Sequence, residues 1–306
     1  MKLSICNNSA NFLGIDQFAY LKKCGFDGTM YSLSEFSSKG IFADYEKLTE
    51  KQVKDYFTNL RKVANESGFV FEQTHTPFMG HPGGDGFDYD YMVEKNIWSI
   101  KATHYLGCKY AVVHPIIIPE RVLGRHKQIT LDKCVEFYKR LIPTLEKYDV
   151  YCCIENMFKG DPIYKHITAT TCSRADELIY LCDKLGDRFK ICLDVGHAPL
   201  TQQDPAKIVR ECKNRIVVLH VHDNDGLTDL HTLPYSAHAV PPCAFTPMRI
   251  NWEDFMKALA EVGYEGDLAF ECGPPGPRAL NEAGFKYLAA IGRHLISIFD
   301  NAKKEM

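Results

Sequence analysis

The sequence contains no long hydrophobic run, and no window approaches the roughly 18 consecutive apolar residues that a membrane-spanning helix requires. The first residues, MKLSIC, include one lysine and too short an apolar stretch for a signal peptide. The twelve cysteines include no C-x-x-C pair, which excludes the paired thiols of common zinc and redox motifs. We therefore predict a cytoplasmic protein without a membrane partner, whose cysteines are reduced and packed in the core.

The sequence also lacks a strong excess of either charge. Its formal net charge is −3 over 306 residues. Proteins that coat nucleic acid are normally basic, whereas the segment 83–90 of this chain is acidic. These features argue against a nucleic-acid partner and favour a small molecule.

Short apolar runs alternate along the chain with segments of helical periodicity. Runs of this length, rich in β-branched and aromatic residues, are typical of strands that are buried on both faces of a parallel sheet. We predict eight such strands, at residues 2–6, 27–33, 69–75, 109–114, 150–156, 189–194, 216–221 and 267–271.

The segments between the strands carry helix signals. Apolar residues three and four apart between 49 and 67 form a single stripe. Ser173 and Asp176 are spaced as a capping box, Pro205 follows Asp204 as the first helical residue, and Pro143 marks a break. The predicted helices lie at 15–24, 49–67, 91–106, 131–148, 173–185, from 204 onward, 251–263 and 281–300.

Eight strands alternating with about eight helices indicate an α/β fold, a single (β/α)8 TIM barrel. No linker or charge run divides the chain, so we predict one domain over residues 1–306. An irregular, Pro-rich insertion at about 224–250 follows the seventh strand. A homo-oligomer remains open, because nothing in the sequence identifies a partner surface.

Carboxylate and imidazole side chains recur where the predicted strands end. In barrels of this type, the carboxyl ends of the strands form the face that carries the chemistry. Asp229 and His231 add a D-x-H motif after the seventh strand. Carboxylates and imidazoles without thiolates suit zinc, manganese or magnesium. The residues at the strand ends are His75, His114, Glu155, Asp194, His197, His220 and Glu271. Glu35 and Glu72 lack this placement, and we expect them to be solvated.

In their order and spacing, five short motifs resemble the xylose isomerase-like superfamily of metal-dependent barrels. That superfamily includes isomerases and epimerases of sugars and sugar phosphates, and also the endonuclease IV family of enzymes that cut DNA at abasic sites. The resemblance covers essentially the whole chain. The motifs are IEN at 154–156, LDVGH at 193–197, H-x-x-D at 220–223, D-x-H at 229–231 and FE at 270–271.

The resemblance implies two alternative ligand sets. The epimerase-like pattern implies one divalent metal, held by Glu155, Asp194, His220 and Glu271. The endonuclease-like pattern implies three zinc ions, with Glu155 bridging two of them. There one zinc is completed by His75 and His114, another by Asp194, His220 and Glu271, and the third is held by His197, Asp229 and His231.

The chain also departs from both patterns. Gly226 stands six residues after His220, where some ketose epimerases place an arginine that binds substrate. Gly196 precedes His197, where the endonuclease-like pattern has cysteine before the histidine.

We expect one metal, with up to three zinc ions as the alternative. The favoured function is isomerisation or epimerisation of a small sugar or sugar phosphate, by proton transfer through a metal-stabilised enediolate. Glu155 and Glu271 would act as general acid and base, and His197 would contact a substrate hydroxyl. The alternatives are a multi-zinc phosphodiester hydrolase that acts on abasic DNA, and a barrel that binds a sugar without converting it.

Overall fold

The structure, a computed structural model, describes residues 1–77, 88–117, 123–161, 165–239, 248–275 and 281–306. Eight parallel strands form one sheet, and they are β1 (Leu3–Cys6), β2 (Gly28–Ser32), β3 (Val70–His75), β4 (Tyr110–Val113), β5 (Tyr151–Glu155), β8 (Phe189–Asp194), β9 (Ile216–His220) and β10 (Leu268–Phe270). Their order in the sheet is β10-β1-β2-β3-β4-β5-β8-β9. A bridge between Val221 and Phe270 joins the last strand of this order to the first and closes the sheet into a barrel.

A short antiparallel hairpin, β6 (Phe158–Gly160) with β7 (Ile167–Ala169), stands beside the barrel. Helices pack around the outside of the sheet. They are α1 (Gln17–Cys24), α2 (Glu50–Glu66), α3 (Tyr89–Leu106), α4 (Leu123–Lys139), α5 (Ile142–Tyr148), α6 (Ala175–Leu185), α7 (His197–Leu200), α8 (Pro205–Cys212), α9 (Trp252–Glu261) and α10 (Asn281–Glu305). Among the described residues, no helix is long and apolar enough to span a membrane.

Helix α2 shows how the sequence specifies these outer elements. The Thr49 side chain accepts a hydrogen bond from the Gln52 backbone, and the Gln52 side chain accepts one from the Thr49 backbone, which forms a capping box. The predicted stripe is buried against the barrel, at Val53, Phe57, Leu60 and Ala64.

The inward face of the barrel follows from the two-residue period of a strand. Four small apolar side chains, Val112, Cys153, Cys192 and Val218, form a separate buried cluster. A residue two positions further along a strand points to the same face. Two residues after each member of this cluster stands a ligand-type residue. These residues are His114, Glu155, Asp194 and His220.

The strands bring these side chains to one end of the barrel, because all of them lie at or just after the carboxyl end of a strand. Asp194 is directly opposite His220 in the β8–β9 pair, and Glu155 is opposite Cys192 in the β5–β8 pair. The eight predicted strands and the barrel are therefore confirmed. The predicted helix break near Pro143 is also confirmed, because α4 ends at Lys139 and α5 starts at Ile142.

Some local predictions are wrong. Helix α6 has Arg174 as its N-cap without a side-chain bond, because the Ser173 hydroxyl donates instead to the Met157 and Thr170 carbonyls. Helix α1 starts later than predicted because a 3-10 helix, Asn7–Asp16, precedes it. Glu35 is buried, and its carboxylate accepts a hydrogen bond from the Tyr31 hydroxyl. Within the predicted insertion, residues 240–247 lie outside the described residues, as do 83–87 of the acidic segment.

Candidate metal centre

The four residues of the epimerase-like pattern converge at the carboxyl ends of the strands. Glu155 ends β5, Asp194 ends β8, His220 ends β9, and Glu271 directly follows β10. We call these four residues the inner group. One ligand atom from each lies within 4.8 Å of the others. The Nδ1 atom of His220 is 3.2 Å from Glu155 Oε1 and 3.4 Å from Glu271 Oε2.

Gln73 determines which nitrogen of the neutral His220 ring carries the proton. The Gln73 amide nitrogen donates to the Leu219 carbonyl at 3.1 Å, which fixes the orientation of the amide. Its oxygen lies 3.1 Å from His220 Nε2, so Nε2–H donates to it. In the neutral ring, Nδ1 then carries a lone pair that faces two carboxylates. A lone pair facing carboxylates needs a cation between them, so this arrangement fits a divalent metal.

His75 and His114 contact the carboxylate oxygen of Glu155 that does not face His220. Their Nε2 atoms lie 3.3 Å and 2.7 Å from the same oxygen, Oε2. A carbonyl can only accept a hydrogen bond, so the 2.6 Å contact between His75 Nδ1 and the Thr76 carbonyl places a proton on Nδ1. The Nε2 atom of His75 is therefore directed at Glu155 as a ligand-type nitrogen.

His197, Asp229 and His231, which we call the outer group, lie beside Asp194. His197 Nδ1 donates to the Asn156 carbonyl at 2.8 Å, and His231 Nδ1 donates to the Glu271 carbonyl at 2.6 Å. Their Nε2 atoms lie 3.8 Å and 3.0 Å from Asp229 Oδ2. The backbone thus orients both rings toward a shared carboxylate, as it does for metal-binding histidines.

The ionisation of these groups reflects their mutual contacts. Burial alone would raise the pKa of Glu155, but the His114 and His220 imidazoles outweigh burial and hold this pKa well below its usual range. Burial lowers the pKa of His220, whereas the adjacent carboxylates raise it to a net value of about 9. Burial likewise opposes the hydrogen bond from His231 to Asp229, which raises the pKa of His231 to about 9. Without metal, protons therefore occupy positions where cations fit.

The structure brings together all nine residues predicted from the strand ends and the D-x-H motif, and it adds two that the prediction missed. His222 is buried beside Asp194, with Nε2 3.0 Å from Asp194 Oδ1. Gln73 is the second addition. Both could have been found from the two-residue strand period, because His222 follows His220 by two residues and Gln73 precedes His75 by two.

A cavity of about 360 Å³ opens above the inner group. Glu155, Glu271 and His197 line it together with apolar side chains such as Met157 and Phe158. A larger cavity, about 770 Å³, lies at the amino ends of the strands near Glu72 and Asp267, and none of the ligand-type residues described above lines it. The smaller cavity is therefore the candidate substrate pocket, since it alone of the two meets the ligand cluster.

The chain matches the family described as xylose isomerase-like TIM barrels over residues 18–291. Uncharacterized protein y4fM of Sinorhizobium fredii is 26% identical over 118 residues, which cover 37% of this chain and 34% of that protein. The match thus spans about a third of that relative's length.

Solved structures share the fold over nearly the whole chain. A D-tagatose 3-epimerase-like protein superposes with a TM-score of 0.71 at 19% identity, covering 98% of this chain and 99% of that one. The IOLI protein, solved with a bound zinc atom, gives a TM-score of 0.65 at 13% identity and covers 99% of both chains. The chain therefore belongs to the family of xylose isomerase-like TIM barrels.

Proposed function

We propose that this protein is a divalent-metal-dependent isomerase or epimerase of a small sugar or sugar phosphate. The observation that carries the proposal is the inner group, two glutamates and an aspartate–histidine pair within 4.8 Å, at the base of a pocket of about 360 Å³. The D-tagatose 3-epimerase-like relative has the same fold. The cation would be zinc, manganese or magnesium, because the ligands are oxygen and nitrogen atoms.

The two glutamates suit proton transfer next to a carbonyl. Around the barrel, β8 and β9 separate the strand of Glu155 from that of Glu271, so the two carboxylates reach His220 from different sides. One can take a proton from a substrate carbon while the other returns a proton on the opposite face. A bound divalent cation would supply polarisation of the carbonyl and stabilise the negative charge that develops there.

In a protein that holds one metal, the Nε2 atom of His197 would contact a substrate hydroxyl. Its ring lines the pocket, and its Nδ1–H bond to the Asn156 carbonyl fixes the ring in place. Phe158 packs edge-on against this ring, with centroids 4.8 Å apart, and covers one side of the pocket. The aromatic side chain would exclude water from the reacting carbons.

Solvent deuterium exchange tests this proposal. Protein purified without chelators and loaded with Mn²⁺ or Zn²⁺ is incubated in deuterated buffer with a panel of ketoses, aldoses and their phosphates. We expect deuterium at a carbon next to a carbonyl in at least one sugar. Glu155→Gln and Glu271→Gln should each lower this exchange by about 10²–10⁴-fold.

Glu72→Gln is the matched control, because Glu72 pairs with Lys2 and lies outside the pocket. The control variant should exchange deuterium at the wild-type rate. Full exchange by either site variant, with its fold retained, would refute the assigned roles. Sugar binding without exchange across the panel would instead support a non-catalytic sugar-binding barrel.

A multi-zinc phosphodiester hydrolase is the second candidate. It is favoured by the additional imidazoles, since His75 and His114 complete one ligand set around Glu155 and the outer group forms another. Elemental analysis showing three zinc ions per chain, together with metal-dependent cleavage of an abasic DNA duplex, would support this function over the first. The DNA affinity of such an enzyme would fall steeply as salt rises.

A further inference from the structure

His222 has no role in either ligand pattern, yet it lies within the cluster. The ring is fully buried. Its Nε2 atom is 3.0 Å from Asp194 Oδ1 and 3.8 Å from Asp229 Oδ1. The same two aspartates have their other oxygens, both Oδ2, 3.7 Å and 3.8 Å from His197 Nε2. One ligand atom from each of Asp194, His197 and His222 lies within 4.8 Å of the others, and Asp229 adjoins both imidazoles.

Gly196 provides the space that the His222 ring occupies. A Cβ atom at position 196 would lie 2.1 Å from His222 Cε1 and 2.3 Å from His222 Nδ1, closer than real Cβ contacts allow. This glycine stands where the endonuclease-like pattern has cysteine. The chain therefore has an imidazole in space that a side chain at position 196 would fill.

Ring orientation determines which histidine can share an ion with His222. A metal lies close to the plane of each imidazole that binds it, because the nitrogen lone pair lies in that plane. The His222 and His231 rings stack at 4.0 Å with an interplanar angle of only 13°, so these two cannot bind one ion in this arrangement. The His197 and His222 rings meet at 80°, which permits a shared ion.

We propose that Asp194, His197, His222 and Asp229 form a second divalent-cation site, with His222 as a ligand. Asp194 would serve this site and the inner group together. Two imidazoles and two carboxylates suit a four-coordinate zinc or a similar borderline ion. The Nδ1 atom of His222 has no hydrogen-bond partner among the described residues, so no contact there prevents Nδ1 from carrying the proton while Nε2 binds an ion.

This inference rests on the proposed metal dependence, but it concerns binding rather than turnover. Metal-free protein is titrated with Zn²⁺ and, separately, with Co²⁺, whose visible absorption reports four-coordinate geometry. Stoichiometry comes from elemental analysis after equilibrium dialysis, and affinity from calorimetry. We expect the second equivalent to bind more than about 100-fold more weakly in His222→Phe, which retains an aromatic ring against His231.

Two further variants make the test specific. Gly196→Ala removes no ligand atom but displaces the His222 ring, and it should weaken the second equivalent in the same way. His231→Phe should retain that equivalent. Thermal unfolding of each metal-free variant establishes that it is folded, and a variant that fails to fold leaves the other two to decide.

The outcomes separate this inference from the proposed function. Wild-type stoichiometry and affinity in both His222→Phe and Gly196→Ala would overturn the second site while leaving the inner group intact. Loss of the second equivalent in His231→Phe, with its retention in His222→Phe, would replace it by the endonuclease-like set. A wild-type protein that binds no metal would overturn the site and the proposed function together.

Discussion

Replacing Gln73 by leucine should weaken metal binding although Gln73 is not itself a ligand. Its amide is fully buried and makes two hydrogen bonds, each 3.1 Å long, to the Leu219 carbonyl and to His220 Nε2. Leucine would leave Nε2–H without an acceptor inside the protein. In the neutral ring, the remaining proton could then reside on Nδ1, the nitrogen that faces Glu155 and Glu271, where it would compete with a metal.

Groups that orient a metal-binding histidine typically contribute 10–100-fold to affinity. We therefore expect Gln73→Leu to raise the Kd of the first metal equivalent by about 10–100-fold, equivalent to about 1.4–2.7 kcal/mol. Gln73→Glu retains an acceptor for His220 Nε2–H, so its affinity should lie closer to wild type. Competition with a chromogenic chelator measures each Kd, and urea unfolding of the metal-free proteins measures stability.

Thr74→Val is the matched control on the same strand. The Thr74 hydroxyl is buried and lies 2.7 Å from the Thr103 hydroxyl, on the face opposite Gln73. Its loss should lower the free energy of unfolding by about 1–3 kcal/mol while the metal Kd stays unchanged. Wild-type affinity in Gln73→Leu, or an equal loss of affinity in Thr74→Val, would refute the tautomer argument.

Three further predictions concern protons and metal removal. Burial, and then repulsion by Glu72, raises the pKa of Asp267 from 3.8 to about 7, so the folded state retains a proton that the unfolded state loses. The free energy of unfolding should therefore fall as pH rises from about 4 to 7, by at most roughly 4 kcal/mol. Urea unfolding at pH 5 and pH 8 measures this fall, and Asp267→Asn should remove most of it. An equal fall in the variant would contradict the assignment. Metal binding at pH 7 should release protons, because the pKa of His220 is raised to about 9. Calorimetry in buffers of different ionisation enthalpy counts the released protons. Metal binding that releases none would contradict the assignment of His220 as a ligand. Metal at about 100 times its Kd should stabilise the protein by about 2.7 kcal/mol, seen as a lower melting temperature after dialysis against a chelator, and an unchanged melting temperature would mean that no metal binds.

The barrel and most of the site could be predicted from the sequence for one reason. A buried parallel strand appears as an apolar run, and the residue at its end then lies on the face where the chemistry collects. KICLD ends on Asp194 and YCCIE ends on Glu155, and the structure brings both into the inner group. The local pattern of apolar residues thus predicted that residues far apart in the chain lie close together in the fold.

What could not be predicted depends on tertiary contacts. The Ser173 hydroxyl met the Met157 carbonyl, which belongs to the preceding strand-to-helix segment, so its spacing from Asp176 did not form a capping box. Glu35 is buried by contacts with Tyr31 and Tyr56 that no local pattern reveals. The two-residue strand period could place His222 on the inward face, but the close approach of its ring to Gly196 is a tertiary contact that this period does not reveal.

The charges of the whole cluster bear on how many cations it holds. It contains four carboxylates and six imidazoles. With every imidazole neutral, the cluster would carry a charge of −4, which is costly for groups this deeply buried. In the metal-free protein the pKa values of four of these imidazoles are raised, so protons can supply the balancing charge; they belong to His75, His197, His220 and His231.

If divalent cations replace those protons, only one number of cations makes the net charge of the cluster zero. One cation would leave a charge of −2 on the cluster, and three would leave +2 until anions joined them. Two cations, one in the inner group and one between His197 and His222, neutralise the four carboxylates. Asp194 adjoins both positions, since it belongs to the inner group and contacts His222 at 3.0 Å. The same buried charge that favours protonated imidazoles without metal therefore favours two metals over one or three.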